Sequence, residues 1–114
     1  MVADLFAIPT GLLRRADLVV EINTIQSVHP GLRQRAAGAI ASLARPRGSV
    51  LVICRGRDES EDLSTVDGPP FALSPRELSE IFGAQGMAPT REIDDFIDEE
   101  DPPQRRLRAA FRRA

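Results

Sequence analysis

The sequence predicts an α/β fold, and three observations carry that prediction. Leu18-Val19-Val20 and Val50-Leu51-Val52-Ile53-Cys54 are apolar runs without a polar interruption, the pattern of strands buried on both faces in a parallel sheet. Between them Leu32, Ala36, Ala39, Ile40 and Leu43 recur at helical spacing, so the unit reads strand, crossover helix, parallel strand. Near the C-terminus Leu107, Ala109 and Phe111 alternate with arginines, the period of a half-exposed strand. The expected architecture is two parallel strands with crossover helices plus a C-terminal antiparallel hairpin.

Taken in order, residues 5–8 form a short apolar piece before the turn signal Pro9-Thr10-Gly11. Arg14-Arg15 lead into the first strand. Glu21 ends its apolar run, so Glu21, Asn23, Thr24 and Gln26 stand at the carboxyl end, where ligands sit in open α/β sheets. Pro30 suits the first turn of a helix over residues 30–44, with Arg33, Gln34 and Arg35 on its wet side. Pro46-Arg47-Gly48 then turns the chain into the second strand. Residues 55–70 carry charges but no hydrophobic period and read as a long exposed loop, either a substrate lid or a solvated connection. Ser74-Pro75-Arg76-Glu77 is a capping box with proline at the first helical position. It opens a helix over residues 75–84, with Leu78, Ile81 and Phe82 inward and an end at Gly83 or Gly86. Residues 90–97 form an edge strand in hairpin with residues 105–113, acids facing arginines across it. Each such exposed pair contributes ~0–1 kcal/mol.

Composition narrows the chemistry. All 15 basic residues are arginine, so neither a Schiff-base lysine nor a lysine-dependent phosphate loop exists here. A formal charge of -2 argues against a general nucleic-acid binder. One histidine and one cysteine make a metal site built from those ligands implausible. Cys54 is expected as a core thiol, and His29 as a helix-entry residue rather than a catalyst. No apolar run reaches the ~20 residues of a membrane span, and Asp4 and Pro9 interrupt the first ten residues, so no signal peptide is expected. The chain reads as soluble and cytoplasmic.

Two right-handed crossovers stepping the same way put both helices on one face of the sheet. The strands, however, are apolar on both sides, and each such side chain gains ~1.5–3 kcal/mol from burial. The second face therefore calls for a cover that this chain does not encode. Residues 1–114 are expected to form a single partial domain, completed by an N-terminal half or by self-association.

Several segments carry a resemblance: Asp17-Leu18-Val19-Val20-Glu21, Thr24-Ile25-Gln26, Arg45-Pro46-Arg47-Gly48, Gly68-Pro69-Pro70-Phe71 and Ser74-Pro75-Arg76-Glu77-Leu78. In their order and spacing they resemble the C-terminal half of class I S-adenosylmethionine-dependent methyltransferases, most of all the thiopurine-methyltransferase-like branch. The resemblance covers nearly the whole chain. It implies half of a Rossmann-like sheet whose seven strands run 3-2-1-4-5-7-6, with this chain supplying 4, 5, 7 and 6. It also implies S-adenosylmethionine as cofactor and a small-molecule methyl acceptor. Asp4 would accept from the adenine amino group, Leu5 would donate its backbone N–H to an adenine nitrogen, and Glu21 would line the pocket near the methionine moiety. Gln26 and the Gly68, Pro69, Phe71 segment would lie on the substrate or lid side. Read without the family, Asp4 is a turn carboxylate, and Glu21 is solvated or paired with Arg14 or Arg55. Two departures stand out. Pro46-Arg47-Gly48 replaces the usual Pro-Gly-Gly, and none of the eight glycines falls in the GxGxG spacing of the main cofactor loop. Methyl transfer by this chain alone is therefore not expected.

Overall fold

The computed structural model describes residues 10–60 and 70–113. Five strands and two α-helices follow one another: β1 (Ala16–Ile22), α1 (Arg33–Ser42), β2 (Ala44–Arg55), α2 (Pro75–Gly83), β3 (Met87–Pro89), β4 (Asp94–Ile97) and β5 (Arg105–Arg113). The sheet runs β1-β2-β5-β3, and β4 continues the β3 side by pairing with β5. β1 and β2 are parallel; every pairing made by β5 is antiparallel. The hairpin is thus present, but β5 lies inside the sheet and only β3 and β4 reach that edge. The edge strand expected over residues 90–97 is shorter, Asp94–Ile97, and a second short strand, Met87–Pro89, precedes it on the same edge.

The helices differ from expectation at one end each. Residues 30–32 form a 3-10 turn ahead of α1, which shifts the phase of the helix. Leu32, expected inward, is exposed, and Arg33, expected on the wet side, is 1% exposed. α2 keeps its pattern: Ser74 Oγ accepts from the Glu77 N–H at 3.1 Å, Pro75 sits in the first turn, and Leu78, Ile81 and Phe82 are buried. The Glu77 carboxylate does not close the capping box, because two arginines take it.

β2 begins earlier than its apolar run. Ala16 pairs with Ala44 and Leu18 with Ser49, so residues 45–48 bulge against Asp17 alone. Arg47 carries the bulge at φ +64, a left-handed conformation that costs a side chain ~1–2 kcal/mol. A Cβ on Gly48 would meet the Arg45 and Ala16 carbonyl oxygens at 2.8 and 2.9 Å, so only glycine fits there.

Both helices pack on one face of the sheet. Val50, Val52, Cys54, Leu107, Ala109 and Phe111 point into that core with Ile40, Leu78 and Phe82, and the Phe82 and Phe111 rings stack at 4.9 Å. The opposite face carries Leu18, Val20 and Ile22, which are 57%, 52% and 53% exposed. Among the described residues nothing covers them. No helix among those residues is long and apolar enough to cross a membrane.

Candidate functional site

The carboxyl ends of β1 and β2 form a rim, and its parts are stitched together by short-range hydrogen bonds. The chain leaves β1 through Asn23 at φ +64, whose N–H donates to the Ile53 carbonyl at 2.9 Å. That bond holds the turn against the end of β2. Ser27 Oγ donates to the Asn23 carbonyl at 2.9 Å, and Arg106 Nη1 to Asn23 Oδ1 at 3.0 Å. Gln26 bridges further: its Oε1 accepts from the Arg55 N–H at 2.5 Å, and its carbonyl accepts from the Phe71 N–H at 2.6 Å. Phe71 meets the His29 ring edge-on at 5.7 Å. Gln26 and Phe71, assigned to one side of the pocket, are therefore brought together.

Glu21 sits beneath this turn and is 4% exposed. Its Oε1 accepts from the Thr24 N–H and, at 3.2 Å, from the Ile25 N–H. It is neither solvated nor, among the described residues, paired with Arg14 or Arg55. It is a buried carboxylate capping the 3-10 turn over Ile25–Ser27. Its Oε2 is buried without a partner among the described residues. Burial pushes the carboxyl above its usual range, and the Thr24 and Ile25 hydrogen bonds offset this only in part.

Cys54 is the core thiol and His29 the helix-entry residue that were expected. Burial foremost, with the Glu21 charge next, pushes the Cys54 thiol up to about 12, so it stays protonated in the core. His29 Nδ1 accepts from the Gly31 N–H at 3.1 Å, at the entry to the 3-10 turn. No cluster of three or more His, Cys, Asp or Glu side chains that could hold a metal occurs among the described residues. The described rim thus consists of amide side chains, backbone groups and one buried carboxylate, joined by hydrogen bonds within the chain. Asp4, Leu5, Gly68 and Pro69 lie outside the described residues.

A second buried polar group, missed in the sequence, fixes the base of the 55–70 segment. Arg33 Nη1 donates to both Glu77 oxygens at 2.8 and 2.7 Å, and Arg57 Nη2 to Glu77 Oε1 at 2.9 Å. Arg33 Nη2 also reaches the Phe71 and Ala72 carbonyls, and Arg57 Nε the Ala72 carbonyl at 3.2 Å. Arg57, placed by its charge in an exposed loop, is 6% exposed. Backbone pairs Arg57 N–H to Leu73 O (2.8 Å) and Leu73 N–H to Arg55 O (2.9 Å) close the same stem. The one sequence signal was Glu77 itself, a carboxylate in the first turn of a helix with a surplus of arginines upstream.

No protein-family model matches the sequence, and no curated protein is similar to it. Solved structures are. A methyltransferase from Methanosarcina mazei, described as S-adenosylmethionine-dependent, superposes with a TM-score of 0.78 at 11% identity, over 99% of this chain and 66% of its own. The 1,6-didemethyltoxoflavin-N1-methyltransferase of Burkholderia thailandensis, solved with its substrate and S-adenosylhomocysteine, gives 0.76 at 16% identity, over 98% of this chain and 49% of its own. The cyclase SpnF gives 0.74 at 13% identity over 99% and 54%. This chain spans roughly half to two-thirds of the length of these proteins, and at such identities the likeness is one of fold. The strand order β1-β2-β5-β3 with antiparallel β5 matches the expected 4-5-7-6. The architecture is that of about half of a class I S-adenosylmethionine-dependent methyltransferase.

Proposed function

We propose that this chain is the C-terminal part of a cytoplasmic methyltransferase that transfers the methyl group of S-adenosylmethionine to a small molecule. The observation that carries the reading is the superposition of 99% of the chain at a TM-score of 0.78. The buried rim of Glu21 and Gln26 falls at the carboxyl strand ends, where such folds take their ligands. Glu21 and Gln26 hold the turn that would meet the methionine moiety and acceptor, and Asp4 and Leu5 would meet the adenine. The small acceptor and the thiopurine-methyltransferase-like branch rest on the motif order in the sequence. Transfer from a sulfonium is an in-line displacement governed by positioning, so a rim without a nucleophile is sufficient. The glycine-rich half of the site comes from elsewhere, on another chain or another part of a longer one.

The test is reconstitution. The chain is mixed with a polypeptide carrying the glycine-rich half of a class I methyltransferase, complex formation is checked by size, and S-adenosylmethionine is titrated calorimetrically. Binding by the complex and by neither part alone is expected, weakened by Glu21→Ala. A complex that forms and binds no S-adenosylmethionine would rule the reading out. A second reading, an interaction module without catalysis, is favoured by the uncovered Leu18, Val20 and Ile22 face.

A further inference from the structure

Phe71, Ala72 and Leu73 form a strap between the rim and α2, and little of their own backbone holds them there. Their one sheet-like pairing among the described residues is the Gly56–Leu73 bridge. It consists of the Leu73 N–H to the Arg55 carbonyl at 2.9 Å and the Arg57 N–H to the Leu73 carbonyl at 2.8 Å. The Phe71 and Ala72 carbonyls are held by side chains instead. Arg33 Nη2 donates to both, and Arg57 Nε donates to the Ala72 carbonyl at 3.2 Å.

One carboxylate orients both guanidiniums. Arg33 turns Nη1 to the two Glu77 oxygens, and Arg57 turns Nη2 to Glu77 Oε1. A guanidinium is a planar, rigid fork, so a carboxylate that fixes one nitrogen fixes the direction of the others. Both arginines are buried, so water does not replace a lost partner. Glu77 is itself set by the first turn of α2, where its N–H donates to Ser74 Oγ. At its other end the strap reaches the rim, through the Phe71 N–H to the Gln26 carbonyl at 2.6 Å. Gln26 Oε1 then accepts from the Arg55 N–H at 2.5 Å. A continuous path of hydrogen bonds therefore runs from α2 to the rim, by way of Glu77, Arg33, Phe71 and Gln26.

We propose that Glu77 is a positioning residue for the rim. Acting through Arg33 and Arg57 it holds the strap, and the strap holds Gln26 at the carboxyl strand ends. Glu21 caps the same turn from below, so one carboxylate fixes the turn locally and a second fixes it from a distance. That the rim meets a ligand rests on the methyltransferase reading; the coupling of Glu77 to Gln26 does not. A clamp that only seated α1 against α2 would lower stability throughout and leave the Phe71–Gln26 bond no weaker than the rest.

Amide hydrogen exchange of the full chain, followed residue by residue by NMR, separates the two. Glu77→Gln keeps the length of the side chain and one acceptor oxygen but removes the charge that pairs both arginines. The Phe71 and Arg55 amides, both bonded to Gln26, are expected to accelerate about tenfold more than the other amides of the β2–β5 ladder. Val52→Ala weakens the core away from the clamp and should show no such excess at Phe71 and Arg55. Arg33→Lys serves as the second variant should Glu77→Gln not fold. It leaves a cation beside Glu77, but a compact ammonium cannot span the carboxylate and the strap carbonyls, so the same two amides should loosen. Equal acceleration of all amides, or none at Phe71 and Arg55, in whichever variant folds overturns the proposal. The S-adenosylmethionine titration of the reconstituted complex is a separate readout. Coupled amides without binding would end the methyltransferase reading and leave the coupling; binding with uncoupled amides would end the coupling alone.

Discussion

Val52 and Val20 are the same side chain on adjacent, hydrogen-bonded strands, yet Val52 is fully shielded and Val20 is 52% exposed. Their apolar neighbours are alike as well: Val50 and Cys54 on one side, Leu18 and Ile22 on the other. What separates them is which face the chain's two helices cover. The covered face also holds a cluster that hydrophobicity could not announce, with Arg33 and Arg57 clamped on Glu77 where α1, the end of β2 and α2 meet. An apolar run states what a strand can bury, whereas the crossovers decide which half of it is buried.

Three experiments sharpen that contrast. The largest effect is expected from Glu77→Ala, which strands two buried guanidiniums and releases the clamp seating both helices; a loss of about 3 kcal/mol in urea unfolding follows. A loss under about 1 kcal/mol would mean that the helices are held by apolar packing alone. Next comes one truncation on the two faces. Val52→Ala should cost about 2 kcal/mol through lost burial and a cavity, while Val20→Ala, measured at concentrations where the chain is monomeric, should stay within about 0.5 kcal/mol. Equal costs would show that the bare face is covered within a single copy.

The smallest effect concerns the buried carboxylate on the covered side. The Glu21 pKa is raised on folding, so its contribution is fully present below the unfolded value of 4.5 and is lost as pH rises through the folded value. Glu21→Gln keeps an oxygen for the Thr24 and Ile25 N–H groups and removes the titration. Its stability should therefore stay level from pH 4.5 upward where the wild type declines. Asp95 and Asp98, held low by hydrogen bonds from Arg105 and Arg106, act in the opposite sense and below 3.8, outside that window. A wild type whose stability rises between pH 5 and 7, by ~1 kcal/mol or more, would contradict the buried state of Glu21.

Much of the fold was legible because its signals are local. Leu18-Val19-Val20 and Val50–Cys54 marked the parallel strands, Ser74-Pro75 marked the start of α2, and the alternation from Leu107 to Phe111 marked β5 with its wet arginines. The rim at Glu21 and Gln26 was legible in position but not in state. A carboxylate at a strand end reads as solvated until the turn over Ile25–Ser27 is seen to close above it. Arg33 was misread because a 3-10 turn at residues 30–32 moved the helical phase, and Arg57 because charge in a loop reads as exposure.

The amino-acid order by itself determined the element types, the handedness of the crossovers and hence the shortage of cover for one face. These follow from side-chain period, cap chemistry and backbone chirality, each set within a few residues. Only the tertiary structure decided that β5 enters between β2 and the β3–β4 edge, that Glu77 is shared by two arginines, and that Leu18, Val20 and Ile22 stay more than half exposed among the described residues. Those outcomes depend on contacts between residues distant in sequence, where one residue's rotation about a helix or strand turns a solvated side chain into a buried one.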